Sequence, residues 1–103
     1  MALTRRQLFH EILCTALGSR NVYYQPPESI KMQYPAIVYS RNALEKVSAD
    51  NTAYAIHQSY HVVLIDRQPD SPIVDNLIRL PYSRHQSTYK SDGMNHDAFE
   101  IYY

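Results

Sequence analysis

The stretch 60–80 constrains the fold more than any other part of the chain. It contains an apolar run at residues 62–65, which favours a strand that is at least partly covered on both faces. A Pro-Asp turn at residues 69–70 ends that run, Ser71 can cap a helix, and Pro72 stands at the favoured first helical position. The short helix that follows carries one apolar stripe, made of Ile73, Leu77, Ile78 and Leu80. No catalytic signature accompanies this strand-turn-helix unit.

A second helix is predicted near the N-terminus, over residues 5–17. Thr4 and Gln7 have capping-box spacing, and Gly18 is a typical helix end. The apolar residues between these caps recur on one stripe: Leu8, Phe9, Ile12, Leu13, Ala16 and Leu17.

Several further segments have the residue pattern of strands. β-Branched and aromatic residues predict a strand over residues 36–41 and a short one over 22–24. Residues 54–67 predict a long central strand, and residues 83–90 and 98–103 predict a closing pair.

The connections complete the fold prediction. Asp92 and Gly93 form the residue pair typical of a tight hairpin turn. Residues 42–52 are too polar for a buried strand and too short for a well-supported helix, so they are interpreted as an excursion between two strands. The sequence therefore predicts a single α+β domain over residues 1–103, with a mainly antiparallel sheet flanked by an N-terminal helix and a second short helix.

Composition narrows the classes of function. Ten basic residues balance ten acidic ones, so no overall field draws the chain to nucleic acid or to an anionic membrane. No apolar run approaches the roughly 20 residues of a membrane helix. The ten tyrosines are interpreted mostly as strand packing, with the remainder forming an interaction surface. Cys14, the only cysteine, is predicted to be a small packing residue and suits the cytoplasm.

The histidines raise the alternative of a small metal-dependent hydrolase that uses His57, His61, His96 and Asp97. On one strand, His57 and His61 would stand about 13 Å apart, which is too far for both to ligate one ion. His96 and Asp97 would point to opposite faces of a strand. We therefore expect no metal, no cofactor and no catalytic residue.

A basic and aromatic stretch raises a third alternative, a nucleic-acid-binding module. Its members are Arg79, Tyr82, Arg84, Tyr89 and Lys90. Acidic residues follow closely, which favours a mixed-charge protein interface and no specific nucleic-acid partner.

Four segments resemble the small tail-completion, or tail-terminator, proteins of long-tailed phages and prophages. They are residues 33–39 (Gln-Tyr-Pro-Ala-Ile-Val-Tyr), the loop 49–51 (Ala-Asp-Asn), residues 60–71, and residues 91–102. The order of predicted helices and strands is also similar, and the resemblance covers roughly residues 4–103.

The resemblance implies a non-enzymatic virion protein that assembles in the host cytoplasm. It implies a homo-hexameric ring at the head-proximal end of the tail, where the protein stops tube polymerisation and contacts the tail tube protein and a neck or connector protein. The same-class alternative is a head-closure or adaptor protein of the neck, or a minor capsid protein. Polar protrusions from the sheet are the expected assembly elements: Asn42, Leu44, Glu45, Lys46, Asp50, Asn51, Tyr54, Tyr89, Lys90, Asp92 and Met94.

Overall fold

The computed structural model describes residues 2–43, 45–49 and 53–103, with side chains for residues 2–43 and 58–103. In these ranges the elements are, in chain order, α1 (Arg5–Leu17), β1 (Val22–Tyr24), β2 (Ala36–Arg41), β3 (Glu45–Ala49), β4 (Ala53–His57), β5 (Ser59–Asp66), α2 (Ile73–Ile78), β6 (Ser83–Ser91) and β7 (Met94–Tyr102).

Five of the strands form one sheet in the order β1-β2-β5-β7-β6. β1 is parallel to β2, and every other neighbouring pair is antiparallel. β3 and β4 pair with each other in a separate two-stranded sheet. This architecture confirms the predicted α+β fold, with a mainly antiparallel sheet, an N-terminal helix and a second short helix.

The ends of α1 follow the sequence prediction. The Thr4 hydroxyl accepts a hydrogen bond from the Gln7 amide at 3.1 Å, and the Gln7 side-chain oxygen accepts one from the Thr4 amide at 2.8 Å. At the other end, Gly18 adopts the left-handed conformation (φ 84°) and its amide donates to the Cys14 carbonyl. These bonds satisfy backbone groups that a helix terminus otherwise leaves unpaired.

The hydrophobic core lies between one face of the sheet and the two helices. Phe9 of α1 stacks on Tyr60 of β5 with ring centroids 4.6 Å apart, and meets Tyr39 of β2 edge to face at 5.8 Å. Leu77 of α2 and Phe99 of β7 are both fully buried in the same cluster. Burial of each such side chain stabilises the fold by about 1.5–3 kcal/mol.

The apolar stripe of α1 is only partly covered. Cys14 is buried, which confirms its predicted packing role, and this burial raises the pKa of its thiol. Leu8, by contrast, is exposed, so this member of the predicted apolar stripe does not belong to the core. Ile12 and Ala16 are half-buried, because α2 and the chain after it cover only one side of them.

The prediction of one continuous strand over residues 54–67 is wrong. The structure divides it into β4 and β5, which end and begin on either side of Gln58. β4 pairs with β3, so the excursion predicted at residues 42–52 is instead the first half of a β-hairpin. The alternation of residues alone does not reveal the break, because Gln58 departs from the sheet through contacts with residues distant in sequence.

β5 is the middle strand of the large sheet, as predicted, and the helices cover one of its two faces. Tyr60, Val62 and Leu64 are buried on the side of the helices. On the opposite face His61 is exposed, Val63 is half-buried and Ile65 is buried, so the prediction that both faces are at least partly covered is confirmed.

The second half of the chain follows the prediction with shifted boundaries. The Ser71 hydroxyl accepts a hydrogen bond from the Ile73 amide at 3.3 Å, and Pro72 precedes α2 rather than opening it. Asp92 and Gly93 have positive φ angles of 52° and 74°, the signature of a type I′ turn. β7 starts directly after that turn, at Met94, so the last strand is longer than predicted.

The molecule is elongated, with principal extents of 51 × 33 × 24 Å. In the part of the chain that the structure describes, no helix has the length and apolar character needed to cross a membrane.

Candidate functional site

The base of the β3–β4 hairpin is held by a compact set of polar contacts. The Asn42 amide donates to the Ser59 carbonyl at 3.0 Å, and the Asn42 side chain donates to the Ser59 hydroxyl at 2.9 Å. The Gln58 side-chain amide donates to the Asn42 and Ser59 carbonyls, both at 2.7 Å. The Gln58 carbonyl in turn accepts from the amide of Tyr103. Asn42 therefore fixes the exit of the hairpin from the sheet rather than lying on its protruding part.

The protruding part of the hairpin carries most of the other predicted assembly residues. Glu45 and Lys46 lie in β3, and Tyr54 lies in β4. Leu44, Asp50 and Asn51, also predicted as assembly residues, lie outside the described residues. The register pairs residues 45–49 with residues 57–53 in antiparallel order.

Among the described residues, neither strand of the hairpin has a strand neighbour besides the other. A two-stranded hairpin is at best marginally stable alone in water, and its outer edges present backbone donors and acceptors to any strand that approaches. The hairpin is thus an element that a second protein chain could complete by strand addition.

The second predicted assembly element is the turn between β6 and β7. Lys90 and Asp92 are exposed, Met94 is half-buried, and Tyr89 is 47% exposed. The ring of Tyr89 stacks on His96 with centroids 4.8 Å apart, so its orientation is fixed by its own sheet.

The two predicted assembly elements do not meet. The hairpin leaves the sheet beside Ser59, at the start of β5, whereas the β6–β7 turn lies next to Asp66, at its end. Seven residue steps separate these two positions of β5, which corresponds to about 23 Å along the strand. The sheet therefore presents one protruding element at each end, an arrangement suited to two different contacts.

A third feature is the edge strand β6, which contains the predicted assembly residues Tyr89 and Lys90 near its end. β6 has β7 as its neighbour in the sheet and is exposed along almost its whole length. Its register shifts between His85 and Ser87, which marks a β-bulge at Gln86. Bulges and charged residues reduce unwanted pairing at sheet edges, so both features disfavour the pairing of β6 with a strand of another chain.

Next to this bulge lies a polar cluster that sequence reasoning missed. The carboxylate oxygen Oδ1 of buried Asp97 accepts a hydrogen bond from the Thr88 hydroxyl at 2.7 Å and lies 3.1 Å from Nε2 of His85. The imidazole of His85 also meets the ring of Phe99 edge to face at 5.1 Å. The Thr88 hydroxyl donates its proton to the carboxylate and not to the imidazole, so the three side chains are not ordered as nucleophile, base and orienting acid. No sequence spacing reveals this cluster, because the bulge decides which residues of β6 face Asp97.

The histidines of the metal-hydrolase alternative are dispersed. His61 pairs in register with Glu100, whereas His96 pairs with Ile65, four residues further along β5. Asp97 lies on the opposite face from His96, and the side chain of His57 is outside the described part of the structure. Within the described residues, no three side chains of His, Cys, Asp or Glu are arranged to hold a metal ion.

The basic stretch also does not form one surface. Arg84 pairs with Glu100 at 3.0 Å on the open face of the sheet. Arg79 directly follows α2, on the face covered by the helices. Charges on opposite faces of one sheet do not form a continuous track for a nucleic-acid backbone.

No protein-family model matches this chain, and comparison with curated proteins finds no significant relative.

Proposed function

We propose that this protein is a structural subunit of a long-tailed phage, which forms a ring on the head-proximal end of the tail tube. The ring ends tube polymerisation and provides the surface to which the head is joined. The observation that carries the proposal is the β3–β4 hairpin, a strand pair that leaves the main sheet at a braced base and has no further strand neighbour among the described residues.

Such a hairpin supports ring formation for an energetic reason. Its two strands lack the third strand or packed helix that a stable sheet needs, and a neighbouring subunit would supply one. A head-to-tail contact of this kind, repeated by rotation, closes into a ring. The polar contacts of Asn42 and Gln58 would set the angle at which each hairpin reaches its neighbour.

The position of the β6–β7 turn supports contacts along the axis of the ring, separate from the contacts between neighbouring subunits. The turn lies at the end of the sheet opposite the hairpin, so a subunit that uses the hairpin sideways keeps Lys90 and Asp92 for another partner. The proposed axial partners are the tail tube protein on one side and a neck or connector protein on the other. Equal numbers of acidic and basic residues limit repulsion between subunits in a closed ring.

The first experiment replaces residues 43–57 by an Asn-Gly turn, so that Asn42 and Gln58 are joined by a tight connection. We expect the purified parent protein to form rings in negative-stain electron microscopy and a matching mass in light scattering. We expect the variant to keep a cooperative thermal unfolding transition and to remain monomeric. Rings of unchanged size from the variant would contradict the assignment of the hairpin.

The second experiment tests the biological role by electron microscopy of lysates from the parent phage with this gene deleted. Overlong or unjoined tails beside filled heads are the expected result. Tails of normal length beside leaking heads would move the protein to the neck as a head-closure or adaptor protein. Intact virions would contradict both roles.

A further inference from the structure

Half-buried apolar residues of α1 line a groove on the helical face of the molecule. Two adjoining hollows, of about 560 and 930 Å³, share Ile12 of α1 and Leu80 of the segment after α2. We call this surface the Ile12–Leu80 groove. The remaining apolar walls are provided by Phe9, Ala16, Pro81, Tyr82, Ile101 and Tyr103.

The walls of the groove are fixed within the fold. The Asn76 side chain of α2 donates to the Ala16 carbonyl of α1 at 3.0 Å, which ties the two helices together beside the groove. On the other side, the Tyr82 carbonyl accepts from the Tyr102 amide at 3.2 Å. Tyr82 has a positive φ of 57° and is 82% exposed. This backbone conformation is costly for a residue other than glycine, and it holds a large aromatic side chain in solvent at the rim.

Each of the two hollows also contains an arginine. Arg5 lines one hollow and Arg79 lines the other. Arg5 donates through Nε to the main-chain oxygen of Tyr103, and its guanidinium lies over the Tyr103 ring, whereas Arg79 has no carboxylate partner among the described residues. The acidic residue on this surface, Glu11, is paired with Arg20 through both carboxylate oxygens. The groove therefore combines an apolar floor with positive charge that the described part of the chain does not neutralise.

We propose that the Ile12–Leu80 groove binds a short, acidic, amphipathic segment of a partner protein. Apolar side chains of that segment would contact Ile12 and Leu80, and its carboxylates would pair with Arg5 and Arg79. Seven residues of α1 separate Arg5 from Ile12, which is about 10 Å along the helix axis. A helical segment with an acidic residue about two turns away from an apolar anchor residue matches this spacing.

The lining of the groove favours a protein segment over a nucleic acid. The floor is formed by the aliphatic side chains of Ile12, Leu80 and Ile101, which fit leucine-like anchors rather than stacked bases. Two separated arginines also give much less charge than a track of phosphates needs. This inference does not depend on ring formation, since the groove is complete within one subunit.

The test uses the intact protein and three labelled helical peptides of about 16 residues, a length at which helices become stable in water. The first peptide carries a leucine stripe flanked by glutamates at two-turn spacing. The second replaces those glutamates by lysine, and the third replaces the leucines by serine. Fluorescence anisotropy measures binding of each peptide, and of a labelled oligo(dT), at low and at physiological salt.

We expect saturable binding of the acidic amphipathic peptide with a Kd on the order of 10 µM, and binding at least about tenfold weaker for the other two. Arg79→Glu should weaken binding of the acidic peptide about tenfold, and Ile12→Ser should do the same. Lys31→Glu and Leu3→Ser are the matched controls, because both residues are exposed and lie outside the groove. Both controls should bind like the parent protein.

Other outcomes would overturn the inference. Equal binding of the acidic and basic peptides, or binding that Arg79→Glu leaves unchanged, would exclude the proposed charge pairing. Preferential binding of oligo(dT) that Arg79→Glu abolishes would assign the surface to nucleic acid instead. Circular dichroism of each variant identifies any loss of binding that comes from unfolding.

Discussion

The hydroxyl group of Tyr39 lies 2.7 Å from Nδ1 of His10, and this contact joins α1 to β2 inside the molecule. The same hydroxyl accepts a hydrogen bond from the Arg6 guanidinium at 3.2 Å. An arginine can only donate, so the hydroxyl keeps its own proton and can donate it to Nδ1 of a neutral His10 ring. In that arrangement Nδ1 of His10 is the unprotonated nitrogen.

This geometry makes stability depend on pH. Burial, followed by the charges of Arg20 and Arg6, lowers the pKa of His10 below its ordinary value of 6.5. Folding thus favours the neutral ring, so the free energy of unfolding should be constant well above pH 6.5 and fall as the pH drops through that value. The fall should level off once the pH is below the pKa of His10 in the folded protein.

Urea denaturation between about pH 5 and 8 measures this dependence. His10→Gln supplies an uncharged acceptor to the Tyr39 hydroxyl and should flatten the profile. His61→Gln, at an exposed position of the sheet, should leave it unchanged. A profile of the same slope in His10→Gln and in the parent protein would contradict the role assigned to His10.

Removal of the Tyr39 hydroxyl should destabilise the protein. Tyr39→Phe keeps the buried ring, which is 1% exposed, but leaves Arg6 and His10 without their shared partner. We expect the free energy of unfolding to fall by about 1–2 kcal/mol. Tyr60→Phe is the matched control, because Tyr60 is equally well buried but its hydroxyl has no hydrogen bond of this kind to the described residues, and it should change stability by less than about 0.5 kcal/mol. Equal losses in both variants would mean that the ring and not the hydroxyl is responsible.

Two threonines of α1 should respond to alanine in opposite ways. Thr4 caps the helix through its hydroxyl, so Thr4→Ala should lower the free energy of unfolding by about 1 kcal/mol. Thr15 lies within the exposed face of the helix and donates to the Glu11 carbonyl one turn earlier. Alanine has the higher helix propensity there, so Thr15→Ala should be neutral or stabilising by a few tenths of a kcal/mol. Thermal unfolding of both variants measures these two changes in stability. If Thr4→Ala left the stability unchanged, the cap would contribute little to the free energy of unfolding.

Replacement of one functional group at the base of the hairpin should lower the stability of the protein. Gln58→Glu replaces an amide that donates to two carbonyls at 2.7 Å by a carboxylate that can only accept. We expect a loss of about 2–3 kcal/mol, because both carbonyls lose their donor and face a negative charge. Hydrogen exchange of the Asn42 amide should accelerate with it, since that amide bonds to the Ser59 carbonyl at the same base.

Gln33→Glu controls for the added charge at an exposed position and should leave stability and exchange unchanged. If Gln58→Glu also left exchange of the Asn42 amide unchanged, the hairpin base would not depend on this side chain.

Local patterns in the sequence were sufficient for the helices and for the tight turn. Thr4, Gln7 and Gly18 determine the limits of α1 through bonds within a few residues, and the conformational preferences of Asp92 and Gly93 select the β6–β7 turn. The apolar alternation around Val62 likewise identifies the middle strand of the sheet.

Only some features of the candidate assembly surfaces could be predicted from the sequence. Polarity marked residues 42–52 as a protrusion, but not as a strand pair that includes Tyr54. The reason is that a short strand is stabilised by its partner, and its own residues carry too weak a preference to reveal it.

The sequence by itself determined the α+β class, the caps of α1 and the turn at Asp92, since these depend on backbone preferences and on contacts within a few residues. Only the tertiary structure decided the break at Gln58, the bulge that brings His85 to Asp97, and the groove between Ile12 and Leu80. Each of these joins residues from different elements. Contacts of that kind form only when the whole sheet and both helices are in place, and no local pattern of residues encodes them.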